Sequence, residues 1–185
     1  MVDKRMNPLL EELLRELWEE SDISEHLPVL FTLATASETI VEFGVRSGRS
    51  TKAFLAGQGW SPRQTCLFSY DIHDCSGRID AEWTDNQTSW NFCQADTSTL
   101  STIPECDLLF IDTLHTYNQV VAEIQHASRV RKWIVLHDTE LFGINGEQGQ
   151  VGILPAIDQF LERNPEWKLL KHYRHNCGLM ILQRT

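Results

Sequence analysis

From residue 39 onward, short apolar runs alternate with helix-length segments, and each run carries or is followed by an acid. The run at 39–43 contains Glu42, 66–70 leads into Asp71, and 90–94 leads to Asp96. The run at 107–111 leads into Asp112, and 133–136 into His137 and Asp138. Continuous apolar runs of this length suit strands buried on both faces of a parallel sheet. Their alternation with helical patterns implies right-handed βαβ crossovers. Helices are predicted at 50–56 and 117–130, the second with Val120, Val121, Ile124 and Ala127 on one face. Gly143, Gly146, Gly149 and Gly152 predict a mobile loop over 139–152. A helix over 153–162 and a terminal hairpin from 167–170 and 179–182 complete an α/β pattern of about seven strands.

Ahead of the sheet, Asn7 and Pro8 read as N-cap and first residue of a helix. Leu10, Leu13, Leu14, Leu17 and Trp18 form its apolar stripe, and a second helix is expected over 26–36. Residues 1–37 are therefore expected as a helical cover and 38–185 as the sheet domain, one structural unit overall. The stripe can pack on that domain or on a second copy, giving a homo-oligomer. The helix's polar face is acidic, which argues against a membrane surface.

The chain has 185 residues, ample for a core without disulfides, and a formal net charge of -10. That charge disfavours nucleic acid as a partner. Arg129, Arg131 and Lys132 form a local basic group, which either complements a helix C-terminus or makes a small patch. Cys66, Cys75, Cys93, Cys106 and Cys177 show no framework spacing, so reduced thiols and a cytoplasmic setting are expected. The first seventeen residues lack an apolar signal-peptide core, and no run is long enough for a membrane span.

In an open parallel sheet, ligands bind outside the carboxyl ends of the strands. One strand-ending acid can merely cap a turn. Five in succession suit a ligand rich in hydroxyls, amines or positive charge, and would repel phosphate. The turn 42–50 (EFGVRSGRS) has Gly44 and Gly48 where backbone can approach a ligand, and Ser50 opens the next helix. It is neither GxGxxG nor a P-loop, which counts against a nicotinamide-dependent oxidoreductase. Asp71 then stands where an acid can accept two ribose hydroxyls. His73, Trp83 and Trp90 could line a nucleoside pocket, although aromatic residues are more often core; His126 is expected at the surface.

These residues resemble a family. The turn from Glu42 to Ser50 is similar to the first motif of class I S-adenosylmethionine-dependent methyltransferases. Residues 107–117 (DLLFIDTLHTY) resemble the DLLFIDGDHSYE segment of the group that includes cephalosporin hydroxylase-like proteins. Residues 134–139 (IVLHDT) match its IVFHDT, and 152–160 (GILPAIDQF) resemble its following helix. The resemblance implies a Rossmann-like, mostly parallel sheet with helices on both faces and a C-terminal antiparallel hairpin. It implies methyl transfer from S-adenosylmethionine to a small molecule or sugar hydroxyl, or a protein that keeps the pocket without transfer.

On that resemblance, Glu42, Gly44, Gly48 and Ser50 frame the amino-acid end of the cofactor. Asp71 holds the ribose, Asp96 lies by the adenine, and Asp112 faces the methionine or the reaction centre. An alcohol needs a base or a metal to release its proton. His115 or His137 could be that base beside Asp112. Alternatively, Asp112 and Asp138 could hold Mg²⁺. Thr113 and Leu114 replace the glycine and acid usual in the group, and Leu114 removes a carboxylate from any metal site.

Overall fold

The structure, a computed structural model, describes residues 8–185, so Asn7 and its expected cap lie outside the described residues. The strands are β1 (Thr39–Phe43), β2 (Thr65–Asp71), β3 (Thr88–Gln94), β4 (Cys106–Ile111), β5 (Val130–His137), β6 (Trp167–Tyr173) and β7 (Leu179–Arg184). They form one sheet in the order β3-β2-β1-β4-β5-β7-β6. The first five pair in parallel, while β7 runs antiparallel to both β5 and β6. The expected terminal hairpin therefore inserts its second strand next to β5 and leaves β6 at the edge.

Both faces of the sheet are covered. All six residues of β4 are buried. Leu109 and Ile111 point into one core and Leu108 and Phe110 into the other, which is why this run shows no polar alternation. The helices are α1 (Pro8–Trp18), α2 (Leu27–Thr35), α3 (Arg49–Gln58), α4 (Tyr117–Ile124) and α5 (Leu154–Arg163). Residues of α4 and α5 fill the first core, and residues of α1, α2 and α3 fill the second.

The stripe of α1 is only partly used. Leu13 is buried, whereas Leu14 is 40% and Trp18 88% exposed. Arg49 and Lys52 of α3 hold this helix through Glu16, with Arg49 also reaching Glu19. The long helix expected over 117–130 ends early: after Ile124 the chain tightens into a 3₁₀ turn, Gln125–Arg129, before entering β5. His126, expected at the surface, is buried against the Phe43 ring. Trp83 is core, and Trp90 packs on the core while donating to the Ser69 hydroxyl.

The glycine-rich loop is stitched down. Gly152 N–H donates to the Ile144 carbonyl, Ile153 N–H to Phe142, and Tyr117 N–H to Val151. A Cβ on Gly152 would stand 2.3 Å from the Phe142 carbonyl oxygen. Close backbone packing accounts for that glycine, which the sequence had suggested was a source of mobility.

Candidate active site

The strand order reverses between β1 and β4, the place where an open α/β sheet leaves a crevice at its carboxyl edge. A cavity of about 330 Å³ opens there. Its walls come from four successive strand ends: Gly44 and Arg46 after β1, Asp71 and Ile72 at β2, Ala95, Asp96 and Thr97 after β3, and Asp112, Thr113 and Leu114 after β4.

Close packing dictates the first wall. Gly44 adopts φ +89°, and a Cβ there would lie 1.9 Å from the Asp112 carbonyl oxygen. Only glycine permits that approach. The Asp71 carboxylate fastens the turn from the side, accepting from Val45 N–H (2.9 Å), Arg46 N–H (3.0 Å) and His73 N–H (2.8 Å). Burial works against its charge, but these backbone donors outweigh it and hold the Asp71 carboxyl below its ordinary value. Asp96 accepts from the Ser98 N–H and hydroxyl, closing the turn after β3.

Two expected ligand residues lie beneath the turn. Glu42 is fully buried, and its carboxylate accepts from Ser50 (2.6 Å), Thr51 (2.8 Å) and Ser69 (2.6 Å) hydroxyls. Neither Glu42 nor Ser50 walls the cavity. They tie the first turn of α3 to β1 and β2 from below. Gly48, at φ +83°, is the N-cap of α3. Burial drives the Glu42 carboxyl up to about 7 against the pull of the three hydroxyls.

Next to the cavity, four predicted residues converge. His115 Nε2 lies 3.2 Å from Asp112 Oδ1 and 3.0 Å from Asp138 Oδ2. His137 Nδ1 lies 3.3 Å from Asp112 Oδ1. His137 is 1% exposed in its side chain and sits behind Asp112, where it can orient that carboxylate but not reach a substrate. Its Nε2–H donates to the Asp22 carbonyl at 3.0 Å, which leaves Nδ1 to face the acids. Asp138 has the left-handed φ of 58°, a conformation that costs energy and recurs at functional sites.

Burial disfavours charge here, but mutual attraction prevails. The His137 and His115 imidazoles hold Asp112 well below the usual carboxylate range. Against burial, Asp112, Asp138 and Glu147 raise His115 to about 9, and Asp112 and Asp138 also raise His137. Burial lifts the Asp138 carboxyl, with the two imidazoles pulling it back.

Sequence reasoning missed Glu147. It stands in the glycine-rich loop and accepts from His115 Nδ1–H at 2.7 Å and from His115 N–H at 3.2 Å. The Phe142 ring of the same loop stacks on His115, with centroids 4.9 Å apart. An acid set between Gly146 and Gly149 was the available signal, but nothing local shows that this loop folds back onto His115. Thr113, placed where the resembling group has glycine, donates to the buried Glu123 at 2.7 Å.

The donor set also fits a cation. Asp112, His115 and Asp138 each offer one ligand atom, all within 4.8 Å of one another. Asp138 Oδ1 is buried and, among the described residues, has no hydrogen-bond partner; His137 Nδ1 lies 3.6 Å away. An acceptor left in that condition is costly, and a bound cation would satisfy it.

Solved structures of the same fold place this arrangement in context. The O-methyltransferase from Bacillus cereus in complex with SAH is 14% identical at a TM-score of 0.68, covering 100% of this chain and 94% of its own. Cofactor-bound Rv0187 from MTB is 20% identical at 0.65, covering 99% and 92%. The MycE methyltransferase from the mycinamycin biosynthetic pathway, in complex with Mg and SAH, is 14% identical at 0.63, covering 97% of this chain and 55% of its own. No curated protein matches the sequence. The profile of the methyltransferase-domain family matches residues 41–139. That stretch runs from within β1 to the residue after Asp138 and takes in every strand end that walls the cavity; the chain belongs to the methyltransferase-domain family.

Proposed function

We propose that this methyltransferase takes its methyl group from S-adenosylmethionine and delivers it to a hydroxyl oxygen of a small molecule. One observation carries the reading: the glycine-turn cavity opens directly beside the Asp112–His115–Asp138 cluster. When bound, S-adenosylmethionine supplies a methyl group on a sulfonium, ready for in-line displacement. Asp71, with its oxygens at the cavity wall, suits the ribose; Ala95 and Asp96 flank the base; Gly44 lets the methionine end approach the backbone. The acids around the cavity compensate the cofactor's positive charge.

An alcohol or phenol is a poor nucleophile until its proton leaves, and the cluster provides for that loss. An uncharged amine acceptor would need no such apparatus. Asp112 and Asp138 are the residues to hold a divalent ion, which would lower the hydroxyl's pKa. SAH in the Bacillus cereus neighbour and Mg with SAH in MycE support both assignments. His115 sits where Nε2 can take the acceptor's proton once the charge on Asp112 and Asp138 is compensated. Glu147 keeps the other ring nitrogen occupied meanwhile.

Five free cysteines support a reducing, cytoplasmic setting. Among the described residues no helix is long and apolar enough to cross a membrane. Labelled-methyl transfer to a panel of hydroxylated small molecules tests the reaction. Label should appear on oxygen, with His115→Ala and Asp112→Ala each lowering turnover by about 10²-fold or more. Label found only on nitrogen or carbon would refute O-methylation.

A further inference from the structure

One wall of the cavity at the strand ends has a buried acid behind it. Glu123 of α4 is 0% exposed. Its carboxylate accepts from the Thr97 hydroxyl, from the Thr113 hydroxyl at 2.7 Å and from the Gln119 amide Nε2 at 2.8 Å. All three donors wall the cavity, whereas Glu123 does not. Gln119 Nε2 also donates to Thr97 Oγ1 at 3.2 Å, which engages both of its protons.

An amide held in this way resists turning over. Exchanging its ends would set Oε1 against the carboxylate and against the Thr97 oxygen. The end left over is Oε1, which has no hydrogen-bond partner among the described residues and is not fully buried. Asp96, expected beside the adenine, spends its Oδ1 on the Ser98 N–H and hydroxyl. Thr113, which replaces the glycine of the resembling group, makes the network a property of this chain.

We infer that Gln119 Oε1 reads the nucleobase of the cofactor, accepting from the 6-amino group of adenine and rejecting a 6-oxo purine. The inference rests on S-adenosylmethionine occupying the crevice with its base by Ala95 and Asp96. Thr97, the next residue, is the one that Gln119 grips, so the amide stands on the same wall. A 6-oxo purine would set its oxygen against Oε1, and the anchored amide could not offer it an N–H instead. A site built to pair one polar group discriminates strongly against a ligand that leaves it unpaired. Glu123 is then a positioning residue, acting through Gln119.

Calorimetric titration with S-adenosylhomocysteine and with S-inosylhomocysteine, its 6-oxo counterpart, tests the assignment. The parent should bind the adenosyl compound about tenfold or more tightly than the inosyl one. Gln119→Ala should bring the two affinities within about threefold, by weakening the first and admitting the second. Glu123→Gln, which frees the amide to turn over, should narrow the ratio by strengthening the inosyl compound; a merely structural loss would weaken both alike. Should Glu123→Gln fail to fold, Thr97→Val, which removes the amide's second anchor, takes its place with the same expectation. Equal affinities in the parent, or an unchanged ratio in Gln119→Ala, would overturn the inference and leave the crevice reading standing. An unchanged ratio in the folded Glu123→Gln protein would overturn the positioning role of Glu123. Failure of the parent to bind either compound would overturn the inference and the crevice reading together.

Discussion

Glu42 shows how a single buried side chain can govern the pH response of the fold. Its burial under α3 raises the carboxyl from 4.5 to about 7, so the folded protein holds this proton more tightly than the unfolded chain. The resulting stabilisation is complete below about pH 4.5 and is lost as pH rises through about 7, a change of about 3 kcal/mol. Glu42→Gln removes the charge and keeps one acceptor oxygen, while its amide N–H groups donate to whichever of the Ser50, Thr51 and Ser69 hydroxyls face them. Urea unfolding should therefore find the variant more stable than the parent at pH 8 and close to it at pH 4.5. An identical pH slope in both proteins would show that Glu42 does not carry the effect. Asp138 makes the complementary case, with one oxygen lacking a hydrogen bond beside His115 and His137. Mg²⁺ or Mn²⁺ should raise the melting temperature of the parent but not of Asp138→Asn. Equal shifts in both would remove Asp138 as a ligand. The positions of these acids were legible in the sequence because Glu42 lies inside a buried run and Asp138 directly follows one. Their partners were not, since Ser69 reaches Glu42 and His115 reaches Asp138 only when the strands assemble into the sheet.

At the scale of elements, the strands were the readable part. In β4, apolar residues on both faces left a continuous run that only a doubly covered strand explains. The helical spacing after β4 runs on to 130, while the chain itself tightens at Gln125 to bring Val130 into β5. In the glycine-rich loop, composition registers Gly143, Gly146 and Gly152 but not the backbone they pack against. Folded back in this way, that loop delivers Glu147 and Phe142 to His115. A carboxylate that accepts from one ring nitrogen sets the tautomer and orientation of the other. Glu147→Ala should lower kcat about tenfold or more with little change in the KM for S-adenosylmethionine, and Glu147→Gln, which still accepts from Nδ1, should recover most of it. An unchanged kcat in Glu147→Ala, or a loss shared equally by Glu147→Gln, would contradict a positioning role.

For the whole molecule, the order β3-β2-β1-β4-β5-β7-β6 puts four turns from distant parts of the sequence around one crevice. Order along the chain made the residues of that crevice predictable, although their depth was not: Glu42 and Ser50 support it from below, while Gly44, Asp71, Asp96 and Asp112 wall it. The exposed Leu14 and Trp18 of α1 are the proposed contact for a second copy. Sedimentation should then show a concentration-dependent dimer that Trp18→Ser weakens; a monomer at all concentrations would remove that proposal. The central claim is that the crevice takes S-adenosylmethionine, with Asp71 holding the ribose. Calorimetric titration of S-adenosylmethionine against NAD, with Asp71→Ala alongside, tests it most directly. Saturable binding of S-adenosylmethionine alone, weakened about tenfold or more by Asp71→Ala, is the predicted result. No binding of S-adenosylmethionine, or equal affinity in the folded Asp71→Ala protein, would contradict it.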